Sequence, residues 1–240
     1  MKETDQRKER EGKADGIRCA WQRLTGAARR IWLTAAQLPE AVSVRAMRAM
    51  GVLLLASMGV TLGLLLVQGR WREALPLHLC SVSALAASYL AFVPRVWLLD
   101  YLWYLGVPGA VLALLFPAPA VSRWQAAMTF TYALTHALII IIPLCAVVRG
   151  MRPREGRALG LLLGMQALAA AGCIANAALG TDFLFLSAPP AATPLERIYH
   201  LGYPLYLLFL ETLMLLCCMV MERLGRLVFR DLSGKGKQQD

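Results

Sequence analysis

Few residues of this chain can do chemistry, and they stand inside stretches that are otherwise apolar. They are His78, Cys80, Asp100, His136, His200 and Glu211, joined by Asn176, the only asparagine in the chain. An ionisable group in such a setting costs a few kcal/mol to bury in a membrane, so each is a functional candidate by default. A thiol with an imidazole nearby is the pairing for nucleophilic catalysis, because the thiolate attacks and the histidine takes its proton. His78 and Cys80 are two residues apart, which on a regular helix turns them about 200° from each other. Pro76 just before them loosens that limit if it starts the helix. His136 is the better partner, since Tyr132 and Thr129 fall four and seven residues before it and extend a polar stripe along one helix face. It sits roughly 16 Å in from the end of its run at 1.5 Å per residue. Cys80 lies near the corresponding end of its own, a mismatch of about two turns that tilt or shifted helix ends would remove. Asp100 lies near the opposite surface, where Arg95 or Arg157 is the expected partner for an anchoring ion pair. Cys145, Cys173, Cys217 and Cys218 read as packing residues.

The elements that carry these groups are apolar runs near the roughly 20 residues that cross a hydrocarbon core. They fall at about 49–67, 74–93, 96–116, 125–148, 158–179 and 200–221. A chain that is 58% hydrophobic and 17% charged is thereby expected to be an all-α, polytopic membrane bundle of six helices. The 48 residues before the first run exclude a cleaved signal peptide there. Residues 1–16 are charged and read as a disordered tail. Over 17–48, Ile17, Trp21, Leu24, Ala28, Ile31, Trp32, Ala35 and Leu38 gather on one arc with arginines around the rest. That predicts a basic amphipathic helix on the membrane surface. Residues 49–221 would form the six-span domain and 222–240 a basic tail.

All but four of the 25 Lys and Arg residues fall on one side of this topology, the exceptions being Arg70, Arg72, Arg123 and Arg197. The positive-inside rule then puts both termini in the cytoplasm. The net charge of +10 flanks the spans without any nucleic-acid motif, so anionic lipid headgroups are the expected partner and nucleic acid is not. The six cysteines lack metal-type spacing, and neither a disulfide framework, nor a zinc site, nor a cofactor is expected. The segment 180–199, with Pro189, Pro190, Pro194 and an apolar patch at Phe183 to Leu186, is long enough to fold back over the mouth of the bundle.

The run Leu75-Pro76-Leu77-His78-Leu79-Cys80 resembles a signature of the YwaF-like integral membrane family, which includes the animal transmembrane protein 164, an ether-phospholipid acyltransferase. Trp103-Tyr104-Leu105-Gly106, Gly109-Ala110 and Ala113-Leu114-Leu115 resemble that family's third span. Thr135-His136 and the isoleucines after it resemble its fourth. Asn176, Gly180 to Leu186 and Pro190 resemble its N-x-x-x-G-T-N-Y-M-Y-L-x-x-K-P pattern, and Tyr203-Pro204, Tyr206 and Glu211 its closing segment. The likeness covers about residues 75–215. Asp182 and Phe183 replace the usual Asn and Tyr, Ala188-Pro189 replaces the lysine-containing approach to Pro190, and the histidine common before the first span has no counterpart.

The resemblance implies that Cys80 is a nucleophile assisted by His136, carrying an acyl chain as a thioester from a phospholipid to a lysophospholipid. His78, Asn176, Asp182, His200 and Glu211 are then supporting or substrate-binding candidates. Asn176 would orient His136 or hydrogen-bond the oxyanion, and Glu211 would orient His200 or His136. Three other functions compete. A lipid hydrolase would use water as acceptor, a transporter or channel would use His136, Glu211 and Asp100 as a proton path, and a non-catalytic scaffold would work through its amphipathic helix.

Overall fold

The residues described by a computed structural model, 40–117, 124–190 and 193–233, are helical and contain no strand. The expectations for residues 1–16 and for most of the surface helix at 17–48 lie outside them. Five helices are long and apolar enough to cross a membrane. They are α1 (Glu40–Val67), α3 (Val96–Leu115), α4 (Gln125–Val148), α5 (Ala158–Leu179) and α7 (Tyr203–Ser233). Between α1 and α3 lies a shorter apolar helix, α2 (Leu79–Phe92), and between α5 and α7 a single turn, α6 (Leu195–Tyr199). The chain is a multi-pass membrane protein with a helical bundle, as its apolar runs require.

Three ends differ from the sequence expectation, the first being that of α1, which is already helical at Glu40 and carries residues 40–48 in the same helix as the span expected from residue 49. The second run does not become helical at residue 74. Trp71–Ala74 is a 3-10 turn, and the helix starts only at Leu79, with His78 in extended conformation as its N-cap. Pro76 therefore does not open the helix. The last helix starts at Tyr203, not at residue 200, because Gly202 adopts φ +134°, which breaks it from α6. It then runs to Ser233, past the expected limit at residue 221.

Arg45–Asp240 is one compact unit. At its centre, α2, α3 and α4 pack around Leu54, Leu90, Leu99, Leu102, Ile139 and Ile142, all fully buried. With lipid outside, such a core is held by close packing and interhelical polar contacts more than by the hydrophobic effect. A seam of hydroxyls joins α1 to α4, with Ser57 to Thr135 at 2.9 Å and Thr61 to Thr131 at 3.0 Å. A second cluster, Trp103, Tyr104, Leu105, Val107, Cys218 and Met221, joins α3 to α7.

The middle of α3 widens into a π segment at Leu102–Gly106. Pro108 has no N–H to give the Tyr104 carbonyl four residues back. The Val107 N–H reaches Leu102 instead, and the Cys218 thiol donates to the Tyr104 carbonyl at 3.6 Å. Nearby, a Cβ on Gly109 would stand 3.0 Å from Leu79 Cδ2. Glycine there lets α3 approach the start of α2, where Cys80 is.

Candidate active site

Cys80 is the second residue of α2, in the first turn, where backbone N–H groups lack intrahelical partners. Cys80 is partly buried and packs against the central core. Donors and the positive end of a helix favour a thiolate, whereas apolar surroundings oppose it, so a base is needed.

His136 is buried, at 3% exposure. Its Nδ1 lies 2.7 Å from the Tyr132 carbonyl oxygen. A carbonyl only accepts, so Nδ1 carries the proton and donates, leaving the lone pair on Nε2. The Tyr132 ring lies 4.1 Å from the imidazole, centroid to centroid. No hydrogen bond joins Cys80 directly to His136.

The helix that carries Cys80 begins only at Leu79, after a 3-10 turn at Trp71–Ala74, so the depth of Cys80 is not the one counted from residue 74.

The remaining candidates separate into groups. Asn176 is committed to the segment after α5. Its Oδ1 accepts from the Phe183 N–H at 2.7 Å and from the Thr181 hydroxyl at 3.1 Å, and its Nδ2 donates to the Phe183 carbonyl at 3.1 Å. It therefore contacts a loop, not His136. His78, outside the helix, accepts at Nδ1 from the Leu184 N–H at 3.4 Å, with its ring edge-on to Phe183 at 5.1 Å. Asp182 receives the Ser187 N–H at 2.9 Å. The segment 180–187 is thus strapped across the start of α2, and Tyr206 and Tyr203 hold its far side through the carbonyls of Phe185 and Leu186. Leu184 and Phe185 adopt φ of 61° and 55°, a left-handed pair that costs about 1–2 kcal/mol per residue and persists only where surrounding contacts impose it.

His200 is exposed, with its ring 6.4 Å from that of Tyr199. Glu211 accepts from the Gln166 side-chain amide, whose Nε2 lies 3.0 Å from both carboxylate oxygens, in an exposed contact between α5 and α7; it bonds to neither histidine. Asp100 is 2% exposed, and its partner is Arg154, not Arg95 or Arg157. The Arg154 backbone N–H and Nε each reach the carboxylate at 2.7 Å, and the Tyr104 hydroxyl donates to the Arg154 carbonyl at 3.0 Å. That group anchors the connection between α4 and α5.

Sequence reasoning overlooked two polar residues at the site. Ser83, three residues after Cys80 and thus on the same face of α2, meets the Tyr101 hydroxyl at 3.1 Å. Tyr101 and Cys80 both pack against the central core cluster. The i,i+3 spacing of Ser83 was the available signal, whereas only tertiary packing brings in Tyr101.

A polytopic helical membrane bundle is the class that the fold defines. Within it, the chain belongs to the TMEM164 family, whose model matches residues 19–222. It is also similar to an uncharacterized protein of Treponema pallidum (strain Nichols), at 29% identity over 185 residues, 75% of each chain. No solved structure matches it.

Proposed function

We propose that this protein is a cysteine-dependent phospholipid acyltransferase. The observation that carries the proposal is the hydrogen bond from His136 Nδ1 to the Tyr132 carbonyl, which leaves the lone pair of a buried imidazole on Nε2 to act as a base. His136 Nε2 takes the Cys80 proton, and the sulfur adds to the ester carbonyl of a phospholipid. The C–O bond breaks, the lysolipid alkoxide leaves with the proton from His136, and the acyl chain stays on Cys80 as a thioester. A lysophospholipid hydroxyl then attacks, giving its proton to His136, and the thiol returns with a proton from the imidazolium. Atoms and charges balance without a cofactor.

Family membership supports the substrate class, since a membrane-embedded nucleophile meets lipids first. A proton path finds less support, because Asp100 is tied to Arg154 and Glu211 to Gln166, both apart from His136. The protein resides in the cell membrane with both termini in the cytoplasm, by the distribution of Lys and Arg, and anionic headgroups meet its basic side.

The test uses purified protein in vesicles containing a phospholipid with a tagged acyl chain and a lysophospholipid. The expected result is a hydroxylamine-labile label on Cys80, lost in Cys80→Ser and formed roughly 100-fold more slowly in His136→Ala. Equal labelling of Cys80→Ser, or wild-type protein that neither takes the label nor transfers it, overturns the assignment. Release of free fatty acid with no transfer would make the protein a hydrolase instead.

A further inference from the structure

Acyl transfer through Cys80 needs a hydrogen-bond donor for the carbonyl oxygen that becomes negative as sulfur adds. Asn176 is held on the 180–187 strap, where its amide oxygen and one of its two N–H donors are spent on Phe183 and Thr181. The tyrosines offer phenolic donors, and most are committed. The hydroxyls of Tyr104, Tyr132, Tyr203 and Tyr206 each donate to a backbone carbonyl, on Arg154, Ala113, Leu186 and Phe185. A carbonyl cannot return a proton, so those four hydrogens are unavailable.

Tyr101 differs. Its partner is another hydroxyl, Ser83 Oγ at 3.1 Å, and either oxygen can be the donor. When Ser83 donates, the Tyr101 proton is free to point elsewhere. Ser83 is 1% exposed and stands on the Cys80 face of α2, and Tyr101 and Cys80 pack against the same core cluster. Gly106, at the end of the π segment that follows Tyr101, keeps room for this pair, as a Cβ there would lie 3.4 Å from Ser83 Oγ. Two hydroxyls buried together contribute little net stability compared with apolar groups of the same shape, so packing alone does not account for them. Segments of π-helix are frequent at functional sites.

We infer that Tyr101 is a catalytic residue of this acyl transfer, donating a hydrogen bond to the acyl carbonyl oxygen as Cys80 adds to it, with Ser83 positioning its hydroxyl. The inference rests on the acyltransferase reading. No proton is transferred by Tyr101, which stabilises the oxyanion and releases it when the carbonyl re-forms. The acyl chain must then enter between α2 and α3.

Tyr101→Phe removes only the oxygen. In the vesicle assay it should slow thioester formation on Cys80 roughly 100- to 1,000-fold, while alkylation of Cys80 by a small uncharged maleimide stays within about twofold of wild type. Ser83→Ala should slow thioester formation in the same direction by a smaller factor, again without changing alkylation. Thioester formation within twofold of wild type in Tyr101→Phe overturns the inference while leaving Cys80 as nucleophile. Equal loss of alkylation and acylation in both variants also overturns it, since the pair would then merely support the fold around the thiol. Wild-type protein that never acquires a label removes the acyltransferase reading, and the role of Tyr101 with it.

Discussion

At the scale of single residues, the chemistry turns on which ring nitrogen of each histidine holds the proton. His136 donates from Nδ1 to a carbonyl, and His78 accepts at Nδ1 from a backbone N–H. Neutral imidazole has one donor and one acceptor, so the two histidines carry opposite tautomers. With three histidines in the chain, selective 15N labelling yields three ring spin systems. We expect His136 as the Nδ1–H form and His78 as the Nε2–H form, with assignment by His78→Gln and His200→Gln. A protonated Nε2 on neutral His136 would remove its lone pair from the side proposed to act. Neither tautomer was legible in the sequence, because each depends on a neighbour's backbone. The choice of His136 over His78 was legible from spacing, although the helical angle behind it does not apply to His78, which precedes α2.

At the scale of elements, the segment 180–187 is a strap built from one asparagine. Removing the Asn176 amide leaves the N–H of Phe183, a residue 1% exposed, without a partner and its carbonyl with only the Leu186 N–H at 3.4 Å, at a cost of about 1–3 kcal/mol for a buried orphan group. That loss falls on a segment already holding Leu184 and Phe185 at positive φ, so it should open locally before the bundle unfolds. Asn176→Ala should therefore raise the rate of chymotrypsin cleavage after Phe183 and Phe185 about tenfold or more, at unchanged helix content. Cleavage at the wild-type rate would mean that Tyr203 and Tyr206 alone secure the strap. The sequence marked Asn176 as unusual and the segment as able to fold back, but it could not connect them, since the amide's three partners follow from the turn at Gly180 and the left-handed pair beyond it.

For the whole molecule, the distribution of charge predicts which ends face the same side. Single cysteines introduced at Gln68 and Pro194 should react with an impermeant thiol reagent from outside the cell, and one at Arg152 only after permeabilisation, in a background where Cys80 is retained. The reverse pattern would invert the proposed orientation. A helical bundle was readable because the bilayer imposes it. Apolar runs of sufficient length must become helices to satisfy their backbone, whatever their neighbours are, and the runs carrying α1, α3, α4 and α5 were placed close to their observed positions.

The helix ends were less legible, for reasons that are local in the chain but decided by packing. Residues 74–78 are apolar enough to continue a span, yet they form a turn and an extended segment that let His78 meet Leu184. Polar partners were the least legible of all. Asp100 chose Arg154 over the nearer Arg95 because the connection after α4 folds back under α3, and Glu211 met Gln166 because α5 and α7 lie side by side. The sequence by itself determined the class of protein and the apolar runs that become its helices. Only the tertiary structure decided which polar groups face Cys80, because a hydrogen bond needs a distance and a direction, and hydrophobic patterning specifies neither.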